Sequence, residues 1–528
     1  MLANPWIALT VVALGYFMNV LDSTAVNVAV PNIAASLDAS AGEILWVLNG
    51  YIFPFAMLLL LGGRLGDLLG HRNVFFAGLL VFTVTSLMCA LADSPEALIV
   101  ARVLQGIGAA LAAPQALAIT AAVFPPERRA MAFGVLASVI GSAAAAAPIL
   151  GGVLIDLFGW RSIFYLNLPI GVLGLLATFA VLPATRDRQA RGVSLGATLL
   201  VSAGLFAALY ALIEGQRYDW GAVWGPIGIP QLLVLGVVLL GVFFFVERSR
   251  QGGLLPRATF TSRNYALMLW ASIATYFGIF GTQLVMTIYL QAALGVGPLQ
   301  AGLVLCPMWV AASLVAPVAG RLAGRLSGRS LLATGFTVFA FGAALTGLLA
   351  WLETPWWSFM LPLIVAGAGA GLTFAPVSMV AMQEITPDAF GRASGLIEVV
   401  RQVGAAVCIA VVGAVMQAVW LASLRDGAAS ASQDLSPAGA AAVSEGVERL
   451  ADQGLNAGSA AVVDTGSPAA DSVLSQVSVD SLVAAAGPAL LITAFMILTA
   501  VAASLLVRGT EPRPAEAAVP STAASTAD

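Results

Sequence analysis

Gly63-Arg64-Leu65-Gly66-Asp67-Leu68-Leu69-Gly70-His71-Arg72 closes one apolar stretch and opens the next, and the chain writes it twice. A degraded copy, Gly320-Arg321-Leu322-Ala323-Gly324-Arg325-Leu326-Ser327-Gly328-Arg329, follows at an offset of 257 (63 to 320). Gly106-Ile107-Gly108, with Pro114 and Pro125 after it, returns as Gly367-Ala368-Gly369 with Pro376 and Pro387. Those offsets are 261 (106 to 367) and 262 (114 to 376, 125 to 387). Separate features sharing one offset make an internal repeat, not chance likeness among Gly/Ala-rich segments.

A hydrocarbon core of about 30 Å takes about 20 apolar residues per helix. Spans on that basis fall near 6–30, 44–62, 74–92, 97–123, 131–156, 162–183, 193–213, 226–246, 265–293, 299–319, 331–352, 357–382, 392–421 and 480–507. The repeat moves a helix eight places, so the fourteen divide as six, two and six. The expected fold is an all-α integral membrane protein of two pseudo-symmetric six-helix bundles plus two inserted linker helices. Its boundaries are 1–185, 186–256 and 257–528. The last part includes a mobile extracytoplasmic loop, 422–479, with one short helix near 438–451, and a disordered tail after Arg508. Parallel repeats around a central cavity are a transporter plan.

Composition narrows the chemistry. Of 528 residues 60% are hydrophobic and 9% charged, with a mean hydropathy of +0.95, against about a quarter charged in soluble domains. All 23 basic residues are arginine, so the phosphate-cradling lysine of a P-loop is absent. One histidine and three scattered cysteines exclude a Cys/His metal site and a disulfide framework; no metal and no cofactor are expected. The arginines crowd into the even-numbered loops and the tail, among them Arg128, Arg129, Arg186, Arg188, Arg191, Arg392 and Arg513. The short odd-numbered loops hold only Arg161 and Arg217. Positive charge stays inside, so both termini are expected to be cytoplasmic in a multi-pass plasma-membrane protein.

Asp22 lies inside the first span, in Leu21-Asp22-Ser23-Thr24-Ala25-Val26-Asn27-Val28-Ala29-Val30-Pro31. A carboxylate in hydrocarbon costs roughly 2.5–3.5 kcal/mol on insertion scales and marks a proton relay or substrate path by default. Arg102 sits at similar depth in the fourth span. An arginine favours the ionised carboxylate while burial favours the protonated one, a balance that a proton carrier can shift; a static ion pair tying the two helices is the other reading. Shifted by about 260 residues, Asp22 maps near Thr282-Gln283 and Arg102 near Leu363, so the first half alone carries the pair. Glu398 and Arg401 share one face of the thirteenth span, as a self-neutralised pair or as a second proton or substrate site.

These residues resemble the major facilitator superfamily, and within it the fourteen-helix drug:proton antiporters (multidrug efflux transporters), from about residue 10 to 420 and again at the last helix. The run around Asp22 is similar to that group's first-helix signature, and Gly63 to Arg72 to the superfamily's cytoplasmic loop motif. Arg102-Val103-Leu104-Gln105-Gly106-Ile107-Gly108 resembles the fourth-helix motif. Gly141-Ser142 with Ala147-Pro148-Ile149-Leu150-Gly151-Gly152 resembles the fifth-helix motif associated with antiporters. Trp160-Arg161-Ser162-Ile163-Phe164-Tyr165-Leu166-Asn167-Leu168-Pro169 is also close to the group's pattern. Ala147 stands where glycine is usual, Leu68 replaces a common basic residue, and Glu398 stands where an uncharged residue is usual.

The resemblance implies a proton-coupled secondary transporter, not an enzyme, exporting small hydrophobic or amphipathic compounds such as antibiotics by alternating access. Proton coupling falls to Asp22, Arg102, Glu398 and Arg401. Gating falls to Gly63, Arg64, Asp67, Gly70 and Arg72, with Arg128 and Arg129 as partners, and to Gly141, Pro148, Gly151 and Gly152; a solvated basic loop and ordinary helix packing explain the same residues. The substrate cavity would take Asn27, Gln105, Gln115, Gln283, Met286, Tyr289, Gln291, Met308 and Trp309, each of which also reads as packing. His71 is placed on a loop with no proton role. Protons, a small-molecule substrate and the bilayer are the expected partners, without nucleic acid, and the transporter is expected to be a monomer. Export or import of an endogenous lipid or metabolite is the alternative within transport. A multi-span membrane enzyme would need a catalytic acid or His/Asp cluster that the short loops lack, and a sensor would need an output domain.

Overall fold

Proline and serine place the helix starts. Ser40, Ser94, Ser194, Ser262, Ser327 and Ser467 each accept a hydrogen bond from a first-turn amide of the helix they precede. Pro95, Pro126, Pro298 and Pro468 occupy first-turn positions, where the missing N–H costs nothing. The computed structural model describes residues 4–184, 194–215, 217–218, 220–250, 253–323, 325–352, 354–453, 465 and 467–508. Arg186, Arg188, Arg191 and Arg513, the 185/186 boundary and the tail beyond Arg508 lie outside the described residues.

The first six helices are α1 (Pro5–Leu37), α2 (Ala41–Leu69), α3 (His71–Ala90), α4 (Pro95–Val123), α5 (Pro126–Phe158) and α6 (Arg161–Val181). α7 (Leu195–Glu214) and α8 (Ile229–Arg248) follow, joined by a two-stranded hairpin of β1 (Ala222–Trp224) and β2 (Ile227–Gly228) with Ala222 opposite Gly228. After the short α9 (Ala258–Thr261) come α10 (Arg263–Ile288), α11 (Pro298–Leu322), α12 (Gly328–Trp351), α13 (Met360–Gln383), α14 (Phe390–Ala431), α15 (Pro437–Gln453) and α16 (Pro468–Leu505). Among the described residues fourteen helices are long and apolar enough to span a membrane.

α1–α6 pack on one another, and so do α10–α14 with α16. The two bundles meet mainly along α2 with α14 and α5 with α11. The inserted pair lies against the first bundle: Phe206 of α7 stacks edge-on to Phe53 of α2, and Ser202 donates to the Met57 carbonyl at 3.0 Å. α8 is largely lipid-facing, with Phe245 77% exposed. Asn264 at the start of α10 donates to the Arg508 carbonyl beyond α16 at 2.9 Å, and Trp6 at the start of α1 packs edge-on against Phe124 at the end of α4; these helix ends mark one face, here the terminal face.

Small residues set the spacing. A side-chain carbon on Gly106 would collide with the Tyr51 backbone of α2, and one on Gly367 with the Met308 backbone of α11, so the repeated glycines permit the same close crossing in each bundle. Gly70 alone separates α2 from α3, at φ +93°, where other residues are strained. His71 is therefore not on a loop; it is the first residue of α3, and buried.

The stretch 422–479 departs in part from its reading as a mobile loop. α15, 437–453, is the short helix expected near 438–451, but α14 runs on through residues 422–431 and α16 begins at Pro468, more than a turn before its apolar span; residues 454–464 and 466 lie outside the described residues. At 42 residues α14 is about 63 Å long, twice the hydrocarbon thickness. Beyond the bilayer the three helices bury Leu424, Val443, Leu450 and Leu474 together. These few leucines and valines are spaced by alanine and serine, which diluted their signal. Gly106→Leu should lower stability by about 1–3 kcal/mol through overpacking, read as a lower unfolding temperature in detergent, while Gly241→Leu, where a side chain meets nothing, should leave it unchanged.

Candidate functional site

Asp22 lies near the middle of α1, fully buried, and helices of the first bundle converge on it. Arg102 of α4 places Nη1 2.6 Å from Asp22 Oδ2. The same nitrogen donates to Gln105 Oε1 at 2.7 Å, and Arg102 Nε donates to the Val47 carbonyl of α2 at 3.3 Å. Gln105 Nε2 and Asn167 Nδ2 of α6 both donate to Asp22 Oδ1, at 3.1 and 2.7 Å. The guanidinium lies 4.4 Å over the Tyr51 ring. Among the described residues, the hydrogen bonds to this carboxylate come from the side-chain N–H groups of Arg102, Gln105 and Asn167.

Glu398 and Arg401 form the second buried pair, at 2.5 Å on α14. Arg401 also donates to Ser378 Oγ of α13 at 3.3 Å and lies 5.5 Å over Tyr276 of α10. Tyr16 of α1 reaches across the bundle seam, its hydroxyl interacting with Glu398 and Tyr276. α1 thus carries one residue of each cluster, six positions apart.

At the terminal face, Asp67 of α2 is buried against the start of α14. Its carboxylate accepts from the backbone N–H of Gly391 at 2.8 Å and of Arg392 at 3.2 Å, and from Arg392 Nε at 3.1 Å. α14 has no side-chain cap of its own. A residue of one bundle therefore caps a helix of the other and meets the positive end of its dipole. Gly63 allows this approach, since a side chain there would strike the Gly391 carbonyl. The repeat places a second contact in the pseudo-equivalent position: Gly320 of α11 packs on the Ala130 backbone of α5. Asp67 corresponds to Gly324 in the copy (67 + 257), a position outside the described residues.

Other expected residues stand elsewhere. Arg64 is buried at this junction, whereas Arg72 turns to α6, donating to the Leu182 carbonyl and lying 5.1 Å over Phe179. Arg129 stacks over Phe390 at 5.3 Å, while Arg392, counted in the sequence only for its charge, holds Asp67. Gln115 is not a cavity residue: it sits by the Asp67 junction, bonded to His71 Nδ1 at 2.9 Å and to the Gly62 carbonyl. Met286, Tyr289 and Met308 are buried, Tyr289 within the second bundle against Phe359 and the Ala350 carbonyl. Asn27 is exposed; Gln283, Gln291 and Trp309 are half-buried. On α5, Gly141 packs on Ser313 of α11, a side-chain carbon on Gly302 of α11 would just touch Pro148, Gly151 packs on Ala25 of α1, and a side-chain carbon on Gly152 would meet nothing; Ser313 Oγ and Ser142 Oγ are 2.7 Å apart across the seam. Tyr16, Tyr51, Tyr276, Asn167 and Arg392 were missed as site residues. Asn167 carries a signal legible in the sequence, an amide among apolar residues two before Pro169.

Residues 12–409 match the Major Facilitator Superfamily. The chain belongs to that family. It is a multi-pass membrane carrier of small molecules, and not an enzyme. It is similar to a probable actinorhodin transporter of Streptomyces coelicolor, 34% identical with 83% of this chain and 78% of that one covered. A tetracenomycin C resistance and export protein of Streptomyces glaucescens is 33% identical, over 78% and 76% of the two chains. Among solved structures the human organic anion transporter MFSD10 superposes with a TM-score of 0.60 at 14% identity, over 95% and 99% of the chains, a likeness of fold.

Asp67→Asn keeps the side chain's size but removes the charge facing the α14 amides and Arg392. A hydrogen bond to a charged group contributes about 1.5–3 kcal/mol, so the closed contact should weaken roughly 10- to 100-fold. Spin labels at Leu69 and Asp388, both exposed, should report a larger population of long distances in the variant.

Proposed function

We infer that this carrier exports small hydrophobic or amphipathic compounds, antibiotics among them, from the cytoplasm in exchange for protons. The observation that carries the reading is Asp22, a titratable group fully buried at mid-membrane and bonded to Arg102 at 2.6 Å. An intramembrane acid costs stability and is found where a charge or proton must move. Drug export is supported by the two Streptomyces relatives, an actinorhodin transporter and a tetracenomycin C resistance and export protein.

The arginine bias puts both termini in the cytoplasm, which makes the terminal face cytoplasmic, and the plasma membrane is the site of action. The described contacts at Asp67 and Gly320 then hold the cytoplasmic side closed. Rocking residues 1–185 against residues 257–528 would open that side by withdrawing Asp67 from α14, and Tyr16 would leave Glu398 in the same movement. Glu398 with Arg401 is the second proton or substrate site. Gln283, Trp309 and Asn27, none of them buried away, remain as substrate contacts, and the monomer is the working unit.

Asp22→Asn removes the titratable group at nearly constant size. Export driven by an imposed proton gradient in proteoliposomes should fall at least tenfold with the protein still inserted and folded; undiminished export would move proton carriage to Glu398. Sidedness has its own test. Ser430→Cys, at the exposed end of α14, should react with an impermeant thiol reagent on intact cells, and labelling confined to inside-out vesicles would invert the topology.

A further inference from the structure

The Asn167 side chain is fully buried in α6, and its two ends are treated unequally. Nδ2 donates to Asp22 Oδ1 at 2.7 Å and to Ser86 Oγ of α3 at 3.0 Å. Oδ1 is buried with no hydrogen-bond partner among the described residues. An orphaned buried carbonyl costs about 1–3 kcal/mol and calls for an explanation. Ser86 is itself fixed, donating to the Phe164 carbonyl at 2.9 Å, so its lone pairs hold the amide nitrogen in place.

The carboxylate explains the orphan. Ionised Asp22 has three side-chain donors: Arg102 on Oδ2, and Gln105 and Asn167 on Oδ1. Protonation forms an O–H bond on the acid, and that hydrogen needs an acceptor where only donors stand. Arg102 has no acceptor atom. Gln105 Oε1 already accepts from Arg102 and lies near the Cys89 thiol. Asn167 alone among the three has a free oxygen, and half a turn about its terminal bond brings that oxygen to Asp22. The other titratable groups on the cluster are Tyr51 from α2 and Cys89 from α3, the first over Arg102 and the second against Gln105.

We propose that Asn167 is the positioning residue of the proton site, its amide donating to ionised Asp22 and turning to accept from the protonated acid. The proton arrives from water on the open side and leaves to water on the other, and Arg102 stays cationic throughout. The proposal rests on Asp22 being the proton carrier.

Asn167→Leu keeps the volume and removes both functions. Of the two bonds lost, the one to the ionised acid is charge-assisted and the stronger, so the ionised form loses more and proton release needs a more alkaline cytoplasmic side. The midpoint of the pH profile of gradient-driven export should move upward by about one unit, a tenfold change in the proton equilibrium. Substrate counterflow, which needs no net proton movement, should stay within twofold of the parent. Ser86→Ala, which frees the amide from its second anchor, should shift the midpoint the same way by less, and stands in if Asn167→Leu does not insert. In infrared difference spectra the protonated Asp22 carbonyl band should move to the position of an acid without an acceptor in Asn167→Leu. Unshifted midpoints in both variants, or counterflow and driven export falling together with no shift, overturn the proposal. Asp22→Asn is run alongside: if it still exports against the gradient, the proton-carrier reading falls and this role with it, whereas an inactive Asp22→Asn with unshifted Asn167→Leu removes only the role of Asn167.

Discussion

In hydrocarbon a charge without a partner inside the protein is unaffordable, and this constraint organises the molecule. Asp22 has Arg102, Glu398 has Arg401, and Asp67 has Arg392 together with the end of α14. The desolvation cost of such a pair is offset only when geometry is good and the remaining lone pairs are satisfied. Around Asp22 that condition recruits side chains from α4 and α6, so one acid fixes the relative rotation of three helices.

The three pairs differ in what they join. Asp22–Arg102 lies within the first bundle, and Glu398–Arg401 within one turn of a single helix. Asp67 is the exception, since its partners belong to the opposite bundle. A contact that crosses the seam can be broken by moving the bundles as bodies, without unfolding either. Its strength comes from backbone amides at a helix terminus, which a rigid helix presents in fixed geometry. Tyr16 adds another crossing and links Glu398 to the helix that carries Asp22.

The internal repeat was legible because it is written in glycine and proline, whose steric demands survive sequence drift. It placed Gly63 and Gly320 at equivalent bends, and both turn out to touch the other bundle's backbone. At the first of these contacts Asp67 adds an electrostatic tie to the steric fit. His71 was misplaced for an equally physical reason: a one-residue turn at Gly70 leaves no loop to stand on, and the ring is drawn into the packing beside Gln115.

By itself the sequence determined the number of spans, the six-two-six division and the cost of each intramembrane charge, because these depend on hydropathy and period along one helix. It also named Asp22 with Arg102 and Glu398 with Arg401, since few groups could neutralise such charges at the same depth. Only the tertiary structure decided which faces meet. It buried Met286 and Tyr289, put Arg392 rather than Arg129 on Asp67, and brought Asn167 and Tyr16 to the two acids. Those outcomes depend on helix rotation and crossing, set by many small packing contacts at once, and no local pattern of residues encodes them.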